Sequence, residues 1–475
     1  MITEYDAFLN SKRQLSGDYG FDPVFMPDGA FDFQIDLITW AVKKGRAAIF
    51  ADCGLGKTLM QLAWAENVVR FTGERVLILT PLAVSRQTVA EAEKFGISAS
   101  RSEAGELNSN IVVTNYERLH HFNPSDFGGV VCDESSILKH FSGATQKKVT
   151  RFLSKQKYRL LCTATAAPND YVELGTSAEA LGELTHSEML TRFFRQLDDK
   201  GQKKEEKLQE FAEKAQSYYR KLAFRVSQTI GQWRLKHHAQ EDFWRWVSSW
   251  ARAVRRPSDL GFNDDNFNLP DLIENIHIVD PLKPADGMLF VMPAFGLSEE
   301  REERKRTLIE RCEKAADLVK SDKSAIVWCH TNSEGDYLES IIPGSKQVAG
   351  RTPDDEKEMI YRDFESGECR VLIIKPKIGA WGMNWQHCSH VVTFASHSYE
   401  QYYQSVRRCW RFGQKRPVTV DVIASAGESR VIENMQRKSG QASAMFEKIV
   451  SNMNNSLEVR AVNKHTNKME APKWL

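Results

Sequence analysis

A chain of 475 residues is long enough for about three domains of ordinary size, each able to bury a core. Hydrophobic residues make up 41% and charged residues 27%, which excludes a disordered polymer. A net charge of +1 excludes a global field that would draw in a polyanion, so any nucleic-acid surface has to be local.

In chain order, the polar, acidic start MITEYDAFLN is unlike a signal peptide, and residues 1–30 read as an N-terminal extension. RAAIF at 46–50 has strand character, and GKTLMQLAWAENVVRF from Gly56 to Phe71 has the apolar spacing of a helix. Between them lies ADCGLGKT, Ala51 to Thr58. A strand that turns through glycines into a helix N-terminus aims several N–H groups at one spot, which suits a polyanionic phosphate. On that reading Gly54 and Gly56 form the turn, Lys57 reaches the β/γ-phosphates of ATP, and Thr58 ligates Mg²⁺. Ala51 stands where the strict pattern has glycine, and an ordinary strand-to-helix turn is the alternative.

RVLILT, NIVVTNY, GVVCDE and RLLCTAT continue as strands separated by helical stretches such as AVSRQTVAEAEKF, the pattern of a doubly wound parallel sheet. The strand GVVCDESS ends in two acids, and ligands of such sheets gather at the carboxyl ends of strands. Asp133 then holds Mg²⁺ and Glu134 activates the attacking water. A lone pair of this kind would read as a solvated cap; the phosphate loop upstream reverses that preference.

Residues 186–260 differ in kind, with 16 Lys plus Arg against 10 Asp plus Glu and no clear strands. Glu205–Val226 and Asp242–Arg256 have helical spacing, and Trp244, Trp246 and Trp250 suit helix packing better than base stacking. Aromatics inside and basic residues outside are expected. From about Ala325 to Ala424 the strand rhythm returns in AIVWCH, KQVAG, RVLIIK, HVVTF and PVTVDVIA. The expected organisation is an ATP-binding domain at 31–185, a helical insertion and linker at 186–300, a second sheet domain at 301–430, and a C-terminal helix and tail at 431–475.

The eight cysteines form no Cys-x-x-Cys pair, and HCSH at 387–390 lacks a second ligand cluster at zinc spacing. They read as buried thiols of a reducing cytoplasm. No apolar run approaches the roughly 20 residues that span a bilayer, so no membrane partner is expected.

Further motifs complete an ordered series: Gln34 in FDFQID, Thr80 and Pro81 in LTPLAV, Thr114 to Tyr116 in VVTNYERL, LLCTATAAPN at 160–169, IIKPKIGAWGMNWQ at 373–386, and QSVRRCWRFGQ at 404–414. The series resembles the superfamily-two helicases, most closely the Swi/Snf-type DNA-dependent ATPases, and among them compact phage or bacterial members. The resemblance implies an α/β protein of two RecA-like, doubly wound parallel-sheet domains with a helical insertion between them. It implies that Gln34 reads adenine, that Gly382 and Gln404 belong to the nucleotide site, and that Arg408 and Arg411 are arginine fingers, with Arg407 left open. Thr80, Thr114, Asn115 and Asn384 would grip a nucleic-acid backbone. Trp381 and Trp385, at the fifth motif, suit packing beneath the second sheet better than base stacking. The expected cofactors are ATP and Mg²⁺ and the expected partner is DNA, duplex or single-stranded. RNA-dependent ATPase activity and a nucleotide-gated clamp of low turnover are the alternatives. Ser136, Ala164 and Ala166 depart from the family's usual residues in the motifs that couple nucleotide state to domain movement.

Overall fold

The computed structural model describes residues 17–82, 84–139, 143–196, 233–280, 297–379 and 383–465. Its first sheet contains β1 (Arg46–Ala51), β2 (Arg75–Thr80), β3 (Ala99–Arg101), β4 (Ile111–Asn115), β5 (Phe127–Asp133), β6 (Tyr158–Cys162) and β9 (Ala251–Val254). Their order is β3-β4-β2-β5-β6-β1-β9, and every pairing is parallel. A short antiparallel pair, β7 (Phe194–Gln196) with β8 (Trp233–Leu235), stands apart. The second sheet contains β10 (Leu272–Val279), β11 (Ala325–Trp328), β12 (Ser345–Val348), β13 (Val371–Ile374), β14 (His390–Phe394) and β15 (Val418–Ser425). They run in the order β10-β15-β14-β11-β13-β12, again all parallel. The expected pair of RecA-like, doubly wound domains is present.

β1 shows why these strands read as unbroken apolar runs. Ala47, Ile49 and Ala51 face a core layer with Leu37 and Trp64, whereas Ala48 and Phe50 face another with Phe243 and Trp250. A strand covered on both faces has no polar side. Helix α1 (Asp32–Lys44) and helix α2 (Lys57–Thr72) supply the first layer, and helix α3 (Gln240–Trp250) contributes to the second.

Five strands escaped the sequence reading: β3, β7 and β8, of three residues each, and the longer β9 and β10. The stretch 242–256, expected as one helix, leaves helical geometry after Trp250, and Ala251–Val254 becomes the edge strand beside β1, with Ala48 opposite Ala251. β10 pairs along its whole length with β15, inside a region expected to be linker. The first sheet therefore draws a strand from beyond residue 185, and the second begins before residue 301. Trp244, Trp246 and Trp250 are buried, as packing predicts, and Arg245 on the same helix is half-buried and pairs with Glu241. The expected helix at 205–226 lies outside the described residues.

Helix α4 (Ser429–His465) starts in one domain and continues onto the other. Val431, Ile432 and Met435 belong to the core of the second domain, whereas Met445, Phe446 and Ile449 enter the core of the first. All eight cysteines are free and buried. Among the described residues, no helix is long and apolar enough to cross a membrane.

Candidate active site

The turn from β1 into α2 can be made only with glycine at two points. Gly54 has φ 89° and Gly56 φ 77°, both in the left-handed region. A Cβ on Gly56 would lie 2.3 Å from Gln34 Nε2, and one on Gly54 would lie 3.0 Å from Phe412 of the second domain. Lys57 begins α2 and donates to the loop's own carbonyls, Ala51 O at 3.0 Å and Asp52 O at 3.3 Å. Thr58 follows in the first turn. Gln34, expected to face a base, is buried with its amide committed to the chain: Nε2 donates to Leu55 O at 2.9 Å, and Oε1 accepts from Phe31 N at 3.0 Å. In this structure it buttresses the phosphate loop from behind.

Asp133 and Glu134 end β5 and are buried at 7% and 8% exposure, so they are not a solvated cap. Asp133 accepts from Gln61 Nε2 at 2.6 Å, and burial, reinforced by the neighbouring Glu134, pushes its carboxyl up to about 7. Glu134 has φ 47°, a left-handed backbone found at no other non-glycine among the described residues. Strain of this kind concentrates at sites where a side chain must be aimed. Its Oε2 accepts from Thr163 Oγ1 at 3.2 Å.

The second domain contributes helix α5 (Tyr399–Val406) and the turn that follows it. Arg408 Nη1 and Arg411 Nη1 both donate to Met383 O, at 3.1 and 3.5 Å. Burial and the adjacent Arg408 push the Arg411 pKa down. Gln404 is fully buried, and neither atom of its amide has a partner among the described residues. The arginine that touches the phosphate loop is the one left open in the sequence: Arg407 Nη2 lies 2.9 Å from Cys53 O and 2.8 Å from Asp52 Oδ2. Two adjacent arginines carry no periodic signal that separates them; only the Asp52 inside the loop hints at a partner.

A second polar link joins the domains behind the carboxylates. Thr165 N donates to Thr163 Oγ1 at 3.1 Å, Thr165 Oγ1 donates to Glu400 Oε1 at 3.4 Å, and the other oxygen of Glu400 pairs with Lys139. Glu134 is thus connected, through Thr163 and Thr165, to the helix that leads to the arginines. Neither Lys139 nor Glu400 was singled out from sequence.

Three expected backbone-gripping residues are not surface groups. Thr80 donates to Thr114 O at 3.4 Å, Thr114 donates to Ser102 O at 2.9 Å, and Asn115 accepts from Arg118 N at 3.2 Å; all are buried. Short polar side chains at the ends of β2 and β4 knit those ends together. Asn384 is exposed. Gly382 and Trp381 lie outside the described residues, and Trp385 is buried against Trp328 and Phe364, as the packing reading expects.

A cavity of about 650 Å³ opens between the domains, lined by Asp52, Arg255, Phe267, Trp410, Phe412 and Phe446 among others. Its walls include none of Lys57, Thr58, Asp133 or Glu134, so it flanks the phosphate loop without enclosing the carboxylates. Its volume is in the range of small-molecule sites. The donor set fits a nucleotide: a cradle of obligatory glycines, a lysine that donates to backbone carbonyls, and buried donors on Gln404, Arg407 and Arg411 with no partner among the described residues.

Two family models match the chain, the DEAD/DEAH box helicase over residues 31–174 and the helicase conserved C-terminal domain over residues 307–413. Together they cover just over half of it. The chain belongs to the superfamily-two helicases. It is accordingly an ATP-hydrolysing enzyme that acts with nucleic acid. The helicase is 33% identical over 104 residues to the bifunctional helicase and thymine dioxygenase JBP2 of Leishmania braziliensis, a match that covers 21% of this chain and 10% of that protein. The Leishmania tarentolae protein of the same name is 32% identical over 93 residues, 19% of this chain and 8% of its own. The match thus spans at most about a tenth of these curated relatives. Among solved structures, the Sulfolobus solfataricus SWI2/SNF2 ATPase core in complex with dsDNA aligns at 17% identity and TM-score 0.41, over 91% of this chain and 95% of its own. A DEAD box protein from Methanococcus jannaschii aligns at 16% and 0.38, over 86% and 90%.

The Lys139–Glu400–Thr165 link yields a test of its own. Glu400→Gln is expected to lower the ratio of nucleic-acid-stimulated to basal ATP turnover roughly 2- to 30-fold, the scale of a coupling energy of about 0.5–2 kcal/mol. Equal losses in basal and stimulated rates would show that the link only supports the fold.

Proposed function

We propose that this helicase hydrolyses ATP with Mg²⁺ between its two sheet domains and uses the cycle to translocate along DNA in the manner of Swi/Snf-type enzymes. The observation that supports it most is the convergence, across one domain boundary, of the glycine-cradled loop and buried carboxylates of the first sheet with the arginine-bearing turn of the second. ATP supplies the phosphoanhydride to be cleaved, and Mg²⁺ neutralises its oxygens. Lys57, Thr58 and Asp133 are the residues that would hold them. Glu134, aimed by its strained backbone and by Thr163, accepts the proton of the attacking water. Arg408 and Arg411 carry planar, permanently charged guanidinium groups suited to charge spread over phosphate oxygens, and they come from the domain that must close on the site. The preference for DNA rests on the ordered motif series.

A groove of about 570 Å³ on the first domain suits a nucleic-acid backbone. Tyr116, Phe122 and Phe152 are buried in its walls, and the exposed Lys148, Arg151 and Lys155 line it, with Glu117 the one acidic residue beside them. None of the three cations has an ion pair among the described residues. Such contacts are largely independent of sequence and weaken with salt. Lys148→Ala and Arg151→Ala are each expected to reduce the slope of log affinity against log salt by about one, uniformly across sequences. An unchanged slope in fluorescence-anisotropy titrations would place the backbone elsewhere.

The decisive assay is steady-state ATP hydrolysis with no polymer, single-stranded DNA, duplex DNA and RNA in parallel, with Glu134→Gln as the blank. Stimulation by duplex DNA supports translocation, and stimulation by RNA alone overturns it in favour of an RNA-dependent ATPase.

A further inference from the structure

We infer that Arg407, Asp52 and Tyr403 form a pin that fastens the phosphate loop to the second domain without nucleotide, making Arg407 a positioning residue for the ATP site. Asp52 lies inside the loop, yet its carboxylate serves the other domain. Oδ2 pairs with Arg407 Nη2 at 2.8 Å, and Oδ1 accepts from the Tyr403 hydroxyl as well as from Cys53 N at 2.6 Å. The same Arg407 nitrogen also donates to Cys53 O at 2.9 Å. One guanidinium thus holds both the side chain and the backbone of the turn that precedes Gly54.

The surroundings make this contact hard to replace. Arg407 is 0% exposed and Asp52 5%, so water cannot take over for either partner. The guanidinium carbon lies 4.9 Å from the Trp410 ring centroid and within 6 Å of those of Tyr403 and Phe412, an aromatic cage that fixes its plane. Phe412 presses on Gly54 from the same side. Arg407 Nε and Nη1 are buried without hydrogen-bond partners among the described residues, so the pin uses one of three guanidinium nitrogens. Lysine cannot reproduce this geometry, because a compact ammonium on a flexible stem cannot pack flat among the rings as the planar guanidinium does.

The loop's shape is therefore held in part from across the domain boundary. Breaking the pin should release both ends: the loop in the first domain and the turn after α5 in the second. The inference rests on the nucleotide-site reading only for its kinetic consequence.

The test is hydrogen–deuterium exchange of the full chain without nucleotide, comparing wild type with Asp52→Asn, which keeps the side chain's shape, and Arg407→Lys. Both variants are expected to exchange faster in two places at once, residues 51–58 and residues 403–413, with β13 unchanged as a control for folding. Exchange that rises only around the substituted residue overturns the pin. In parallel, Asp52→Asn should raise the KM for ATP roughly 5- to 150-fold with a smaller change in kcat, the range of ordinary coupling between sites. A loss of kcat at unchanged KM overturns the positioning role. Because the exchange measurement uses no nucleotide, failure of the ATPase assignment leaves its outcome readable.

Discussion

Glu134→Gln is expected to cut ATP turnover by about 10²- to 10⁴-fold while ATP binding persists, the usual scale for removal of a positioned general base. The substitution keeps the shape of a side chain buried at 8% exposure and leaves an amide oxygen able to accept from Thr163. What it removes is proton affinity. Lys57→Ala is expected to lose binding as well as turnover, since its ammonium now rests only on the carbonyls of Ala51 and Asp52 and is free to exchange them for phosphate oxygens. The two variants are separated by equilibrium binding of a fluorescent ATP analogue beside a phosphate-release assay. Retained hydrolysis in both would remove Lys57 and Glu134 from the chemistry.

The largest stability effect is expected away from the site, in the second domain. Arg311 and Glu334 are both 1% exposed and pair at 2.8 Å. Arg311 also donates to Arg304 O at 2.7 Å and to Thr307 Oγ1 at 3.2 Å, and the other Glu334 oxygen accepts from His330 N and Thr331 N at 2.8 and 2.9 Å. Arg311→Ala strands a buried carboxylate and is expected to cost about 3–5 kcal/mol, read from denaturant unfolding. The pH dependence carries a distinct signature. Burial pushes the Glu334 carboxyl up, but Arg311 and His330 outweigh it, so the folded value lies below 4.5. A depressed carboxyl stabilises the fold above its unfolded pKa, and that contribution is lost as the pH falls through the folded value. Without Arg311, burial dominates and the sign reverses, so the deficit of the variant against wild type should shrink as the pH falls toward 4.5 and below. A deficit independent of pH would mean that the loss is one of packing.

The repeating strands and the nucleotide motifs were legible because their signals are local. Continuous apolar runs such as RVLILT can only be buried strands or helices, and their shortness decides. β9 failed that test: ARAV directly follows a helix, and alanine suits both states, so only its pairing with β1, Ala251 opposite Ala48 and Ala253 opposite Phe50, makes it a strand. β10 was hidden by Glu274, Asn275 and His277, polar residues tolerated because it lies at the edge of its sheet. In the site, the motif series located the loop and the carboxylates but not what those residues touch. Thr80 bonds to the Thr114 carbonyl, Thr114 to the Ser102 carbonyl, and Asn115 caps the turn at Arg118. Gln34 braces Leu55. Arg407, with the same charge as its neighbour, is distinguished from Arg408 only by the side of the turn it occupies, which depends on tertiary contact with Asp52.

Helix α4 sets the kind of motion the two domains can make. Its 37 residues form a rod of about 55 Å, rooted beside β15 at one end and seated through Met445, Phe446 and Ile449 in the first domain further along. Pulling the domains straight apart would draw those three apolar side chains into water, and turning the rod about its axis would swing the same face out of its seat. The crossbeam therefore limits both separation and rotation of the domains to what its seat tolerates, and Arg255, whose guanidinium carbon lies 4.6 Å from the Phe446 ring centroid, closes over that seat.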